Sequence, residues 1–208
     1  MGNVIFAYRL VADTGFAPCI DNGLLTLACC KGGQIRNGKD VKTGLRHTIG
    51  KHLIKYPYDN VDILGIYKNK LLYYAKVTEI IKMTDYFSKK VKAEYGKRKD
   101  HIYNTVNGVL IRNNFIPYMH PKGDLQNRRD ANGVYVLTSR QFTYFGDTAP
   151  LIPNDVLEVL PAFRENPPHY KNSTSFKIIS NYIKKNISFD GVVGKPHKQL
   201  EITKGGGC

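Results

Sequence analysis

Residues 3–11 alternate as a strand, with Val4, Phe6, Tyr8 and Leu10 on one face. Residues 23–30 are instead a nearly continuous apolar run, the pattern of a strand covered on both sides. A hairpin is signalled around Lys68-Asn69-Lys70. Its first arm is 61–66, and its second, 71–79, sets Leu71, Tyr73, Ala75 and Val77 against Leu72, Tyr74, Lys76 and Thr78. Further strand signals fall at 108–112, 133–138 and 141–145. Helical spacing follows Thr84, where Phe87 and Val91 share a face before Gly96, and again at 154–160. A last amphipathic helix uses Phe176, Ile179 and Ile183 and is capped by Ser173 or Thr174. The stretch 31–60 reads as a Gly- and Lys-rich loop region, and 100–132 as irregular and polar, the composition of a pocket rim.

Strands outnumber helices and pair mostly with sequence neighbours, so the expected fold class is α+β, a mostly antiparallel bent sheet or small β-barrel with flanking helices. A chain of 208 residues, 42% of them hydrophobic, can bury one sizeable core. One domain over 1–204 is expected, followed by a flexible tail, Gly205-Gly206-Gly207-Cys208.

Charge changes the picture most. Lys and Arg number 31 against 17 Asp and Glu, a formal charge of +14, which favours a polyanionic partner, nucleotide or nucleic acid. A membrane partner is not expected, because no apolar run approaches the roughly 20 residues that span a bilayer. With no signal sequence at the N-terminus, the expected location is cytoplasmic. No cofactor is expected, since neither a GxGxxG nor a Walker pattern occurs. No metal is expected either: Cys19, Cys29, Cys30 and Cys208 have no CxxC spacing and read as reduced thiols, and His47 and His52 are five apart, off one helical face.

The loop Lys31-Gly32-Gly33-Gln34-Ile35-Arg36 is either an anion-binding rim, where glycines let backbone N–H groups converge, or a solvated basic loop. A base-binding pocket needs aromatic faces, hydrogen-bonding groups and cations. Tyr103, Tyr144 and Phe145 are the aromatic candidates, His120, Asp130 and Ser139 the polar ones, and Lys31 and Arg36 the phosphate ligands. Core packing explains each aromatic as well. An enzyme would use Asp13, Asp100 or Asp130 as general base with His120 or His169. A turn-capping role accounts for Asp13 equally.

Several pieces in order resemble the bacterial and phage family called nucleotide modification associated domain, type two. They are Asp13-Thr14-Gly15-Phe16-Ala17-Pro18, Thr26-Leu27-Ala28 with Cys30-Lys31, Tyr74-Ala75-Lys76-Val77-Thr78-Glu79, Asp100 with Ile102-Tyr103, His120, Asp130, Val136-Leu137-Thr138-Ser139, and Tyr144-Phe145-Gly146 with Ala149-Pro150 and Ile152-Pro153. The strand order also looks like that of PUA-like domains. The resemblance implies a protein that recognises a modified base or nucleotide, linked to DNA modification or phage–host conflict; the alternative is an enzyme that modifies or removes groups from one. It further implies that Thr14, Phe16, Lys31, Tyr103, His120 and Tyr144-Phe145 converge on one concave mouth.

Overall fold

Strand β1 (Asn3–Arg9) is buried on both faces and runs through the middle of the larger sheet. The computed structural model describes residues 2–36, 39–88, 95, 98–113, 129–162 and 169–198, without the side chains of 34–43. After β1 come β2 (Cys19–Asp21), β3 (Leu24–Leu27), β4 (Gly33–Arg36), β5 (Lys39–Thr43) and helix α1 (Leu45–Lys55). Then follow β6 (Asn60–Tyr67), β7 (Lys70–Lys76), β8 (Glu79–Lys82), α2 (Met83–Tyr86), β9 (Tyr103–Val106), β10 (Val109–Arg112), β11 (Tyr135–Ser139) and β12 (Gln141–Tyr144). The chain closes with α3 (Asn154–Leu157), β13 (His169–Tyr170), α4 (Thr174–Asn186) and β14 (Gly191–Val192).

The class is α+β. A six-stranded sheet has the order β13-β1-β6-β7-β12-β14, a four-stranded one β2-β3-β11-β8, and β4-β5 and β9-β10 are separate ladders. The described strands do not close into a barrel, so the open, bent alternative holds. Local pairing is only part of the architecture. Strand β1 lies parallel to β6 along its whole length, from Asn3↔Asn60 to Arg9↔Ile66, and β11 pairs with β3 and β8. Parallel neighbours need a long crossover, and here that crossover contains α1, in the stretch expected to be a loop. Leu45, Ile49 and Leu53 recur every four residues among Gly and Lys, which is enough of an apolar stripe to seat the helix on the core.

Three apolar clusters follow from the strand alternation. Val4, Phe6, Tyr8 and Leu10 all face the inner cluster, with Leu25 and Leu27 of the other sheet and Leu45 and Ile49 of α1. Ile5, Ala7, Leu64 and Ile66 face the opposite way, under Val156, Ile179 and Ile183. Ser173 caps α4 by accepting a hydrogen bond from the Phe176 amide at 3.0 Å. The third cluster gathers Phe16, Tyr86, Phe87, Ile102 and Tyr103 against Leu24 and Val136.

In the β6–β7 hairpin both turn residues, Lys68 and Asn69, have positive φ, 49° and 59°, as a two-residue turn of matching twist requires. A bulge then shifts the register between Gly65 and Ile66. Leu72 and Tyr73 consequently both face the inner cluster, whereas Leu71 and Tyr74 face outward, which departs from simple alternation. The Tyr73 ring lies on Gly65: a Cβ there would sit 2.1 Å from Tyr73 Cε1. Gly65→Ala is therefore expected to cost about 1–3 kcal/mol by overpacking, measured by denaturant unfolding.

Asp62 on β6 stands opposite Lys76 and is bonded by the Tyr74 hydroxyl. Burial raises its carboxyl to about 6, against the opposing effects of Tyr74 and Lys76. The folded state thus prefers the protonated acid, and this contribution to stability, full below the unfolded pKa of 3.8, is lost as pH rises through about 6. Asp62→Asn removes the ionisation and is expected to stabilise the protein by roughly 1–3 kcal/mol near pH 8, with little effect near pH 4, as read from urea denaturation at the two pH values.

Cys19 and Cys29 are free, buried thiols as expected, but Cys30 departs from that expectation in being disulfide-bonded. No described helix is long and apolar enough to cross a membrane.

Candidate functional site

Beyond β1 the chain makes a tight turn through Asp13-Thr14-Gly15, with Gly15 at φ 68°. The carboxylate of Asp13 is 2% exposed and is surrounded by donors. Tyr144 donates its hydroxyl to Oδ1 at 2.6 Å. His197 donates twice to Oδ2, from its backbone amide at 3.0 Å and from Nδ1 at 2.8 Å. The Asp13 carbonyl accepts from the Lys198 amide at 3.1 Å, so the C-terminal segment is pinned across the turn. Donation from Nδ1 assigns the other ring nitrogen, Nε2, as the acceptor of the neutral imidazole. The arrangement orients one imidazole on a buried carboxylate.

Tyrosines surround this turn. Tyr8 and Tyr73 share a hydroxyl–hydroxyl bond of 2.8 Å inside the inner cluster. Burial pushes both phenols well above the usual range, and burial with the adjacent Asp13 does the same for Tyr144, so all three remain protonated. The Lys31 ammonium lies 5.2 Å from the Tyr8 ring centroid. The edge of the Tyr67–His197 pair is T-shaped, with centroids 4.9 Å apart.

Tyr67 also lines a cleft of about 400 Å³, with Arg9, Leu10, Val11, Lys68 and Asn69. Arg9 is braced there, donating Nε to the Pro161 carbonyl and a terminal nitrogen to Asn69 Oδ1, both at 2.7 Å. The Lys68 ammonium sits 5.3 Å from the Tyr67 centroid. Among the described residues two cations and no carboxylate line this cleft, so its electrostatic preference is for an anion.

The glycine-rich loop has a different use for its concavity. Cys30 and Lys31 both take positive φ, 59° and 54°. The Cys30 amide donates to Asp130 Oδ1 at 2.8 Å, so the anion at that amide is the protein's own carboxylate. Tyr103 donates to the other oxygen of Asp130 at 2.6 Å and is itself fully buried. Asp100 is equally enclosed, bonded by Thr26 Oγ1 and by the Tyr86 hydroxyl at 3.0 Å, with Arg98 Nε at 3.7 Å. Burial raises its carboxyl while Arg98 pulls it down. These two carboxylates knit the third cluster to the four-stranded sheet.

Of the residues singled out from the sequence, the structure joins Asp13 to Tyr144, and Asp130 to Tyr103. Tyr103 and Tyr144 belong to different clusters. Phe145 packs with the outer cluster, on the side of the sheet away from Tyr144. Phe16 is buried, and Thr14 partly so. Ser139 closes the β11–β12 turn through Gln141, donating to its carbonyl at 2.8 Å and accepting from its amide at 3.1 Å. His169 is exposed on β13. His120 and the Arg36 side chain lie outside the described residues. Among the described residues no three His, Cys, Asp or Glu side chains form a group that could hold a metal ion. Sequence reading passed over His197, Tyr67, Arg9 and Lys68. The only local signal for His197 is a lone histidine between basic residues, Lys195-Pro196-His197-Lys198, which by itself reads as surface.

No curated protein and no solved structure matches the chain. A family model does, that of nucleotide modification associated domain 2, over residues 2–203, the stretch that holds both the Asp13 turn and the His197 segment that closes it. The chain therefore belongs to the nucleotide modification associated domain 2 family.

Proposed function

We propose that the chain binds a nucleotide, free or within nucleic acid, at the Asp13 end of its inner core. One observation carries this reading: the imidazole that Asp13 orients lies against Tyr67, and Tyr67 lines the same cleft as Arg9 and Lys68. In this reading Arg9 and Lys68 take phosphate, while His197 and Tyr67 meet the base or sugar. The phosphate role expected of Lys31 passes to those two residues in this reading, because Arg9 and Lys68 are the cations that line the cleft beside Tyr67. The charge of +14 supports the same ligand class, and the family supports a role in nucleotide modification. Such a ligand fits a cytoplasmic protein acting on a modified base, in DNA modification or phage–host conflict.

The test is calorimetric titration of nucleoside monophosphates and the matching nucleosides. Lys68→Ala is expected to weaken the monophosphates about tenfold, roughly 1.4 kcal/mol, and to leave nucleosides unchanged. Equal affinities for all ligands in both proteins would remove Lys68 from the phosphate site.

A second reading rests on the Asp13–His197 pair itself. A carboxylate on Nδ1 that leaves Nε2 as the acceptor is the arrangement of a general base. If the protein modifies nucleotides, His197→Gln abolishes turnover, followed by mass spectrometry of the incubated nucleotide, while binding survives. If it only binds, the same variant gives a graded loss of affinity.

A further inference from the structure

We propose that the turn Tyr56-Pro57-Tyr58, with the lysines around it, is a docking surface for single-stranded nucleic acid. This goes beyond the nucleotide site at Asp13, since it concerns a polymer and a different part of the molecule. Helix α1 ends at Lys55, and the next residues form a tight turn in which the Asp59 amide donates to the Tyr56 carbonyl at 3.1 Å. Pro57 in the second position restricts the backbone to the angle the turn needs. The turn is anchored from below. Asp59 accepts from the Gly2 amide at 2.7 Å and bonds His52 Nε2 and Lys171 Nζ, each at 3.1 Å.

That anchoring has two effects. It holds Tyr58 outward at 74% exposure beside Tyr56, which is 43% exposed and packs its ring against His52 with centroids 5.1 Å apart, so little ordering entropy is lost when a ligand stacks there. It also engages the carboxylate of the turn internally. Around Tyr56 the charge is positive: the Lys55 and Lys171 ammonium groups each lie 5.2 Å from its ring centroid. Lys51, one helical turn before Lys55, is exposed, as is His169. A phosphate beside the ring is attracted by both ammonium groups.

Exposed aromatic faces interleaved with cations are what a nucleic-acid strand requires, the rings for bases and the lysines for phosphates. The strand must be single, because paired bases are stacked on each other and do not offer their faces. The surface lies at the Asn3 end of β1, where Asn3 pairs with Asn60, and Arg9 ends the same strand at the cleft. At about 3.3 Å per residue the two regions are roughly 20 Å apart.

The experiment measures anisotropy of a labelled oligothymidylate of about 12 nucleotides, within the range of single-strand site sizes, across a salt series. Tyr58→Ala is expected to weaken binding about tenfold, the loss of one stacked base. A Lys51→Ala/Lys55→Ala double variant, which leaves Asp59 and its partners intact, is expected to flatten the log–log salt slope by about 1.4, or about 0.7 per lysine. All three positions are exposed, so an unchanged melting temperature shows that the variants fold. Titration of nucleoside monophosphates runs in parallel and is expected to be the same for these variants and the wild type. Loss of monophosphate binding in Lys68→Ala alone thus reports on the Asp13 site, and loss of the oligonucleotide in Tyr58→Ala alone on this surface. Wild-type oligonucleotide affinity and slope in both surface variants would overturn the proposal. So would a duplex that binds as tightly as the single strand, or a polyglutamate peptide that competes as well as the oligonucleotide.

Discussion

Replacing Arg46 by alanine is expected to lower the unfolding free energy by about 3–5 kcal/mol, the range for removing one member of a buried charged network. Arg46 is completely buried near the start of α1, and its guanidinium serves four acceptors. Nε donates to the Cys30 carbonyl at 2.6 Å, one terminal nitrogen to the Tyr135 carbonyl at 2.7 Å and to Met83 Sδ at 3.1 Å, and the other to the Asp130 carbonyl at 2.6 Å. Burial lowers its pKa, opposed by the Asp130 charge, yet an arginine keeps its proton in any protein interior. Truncation leaves three backbone carbonyls and the Asp130 carboxylate without that cation, and each orphaned buried acceptor costs about 1–3 kcal/mol. Arg46→Lys is expected to lose most of the same stability, because a single ammonium cannot reproduce a planar fork aimed at acceptors on three segments. Urea denaturation measures both. A loss below about 1 kcal/mol in Arg46→Ala would mean that water replaces the guanidinium at these carbonyls.

Asp13 variants separate structure from recognition. Asp13→Ala removes the acceptor of the Tyr144 hydroxyl and of both His197 donors, and is expected to cost about 2–4 kcal/mol of stability while abolishing nucleotide binding. Asp13→Asn keeps the volume and one acceptor oxygen, and Tyr144 can accept from the new amide. Its expected stability loss is about 1 kcal/mol. The imidazole is no longer held by a carboxylate, so monophosphate affinity is expected to fall about tenfold even though the protein folds. Denaturation and calorimetry on the same preparations check the pair. Full affinity in Asp13→Asn would show that the orientation of His197 plays no part in binding.

The site illustrates why candidate residues and their partners differ in legibility. Asp13 stood out because an acid in an Asp-Thr-Gly turn after an apolar strand is a local feature. Its partners are 131 and 184 residues away, and no period or spacing connects them. The basic loop stood out because glycine, lysine and arginine together signal an anion. That the anion at the Cys30 amide is Asp130, 100 residues on, depends on how two sheets and a turn come together. Tyr103 and Tyr144 looked alike as aromatics beside polar residues, yet each ends as a buried hydrogen-bond donor to a different carboxylate.

The sequence by itself determined what short-range periodicity and turn chemistry can specify. The faces of β1 follow from its alternation, the β6–β7 turn from Lys68-Asn69, and the start of α4 from Ser173, because each depends on residues within a few positions of one another. Tertiary structure decided the rest. The parallel pairing of β1 with β6, the seating of α1 on the core through Leu45, Ile49 and Leu53, the bulge that turns Leu72 inward, and the closure of His197 over Asp13 are choices among many locally acceptable arrangements. They are settled by which assembly buries the apolar faces together while leaving each buried carboxylate, arginine and backbone carbonyl with a partner, a condition imposed by the whole chain and visible in no window of it.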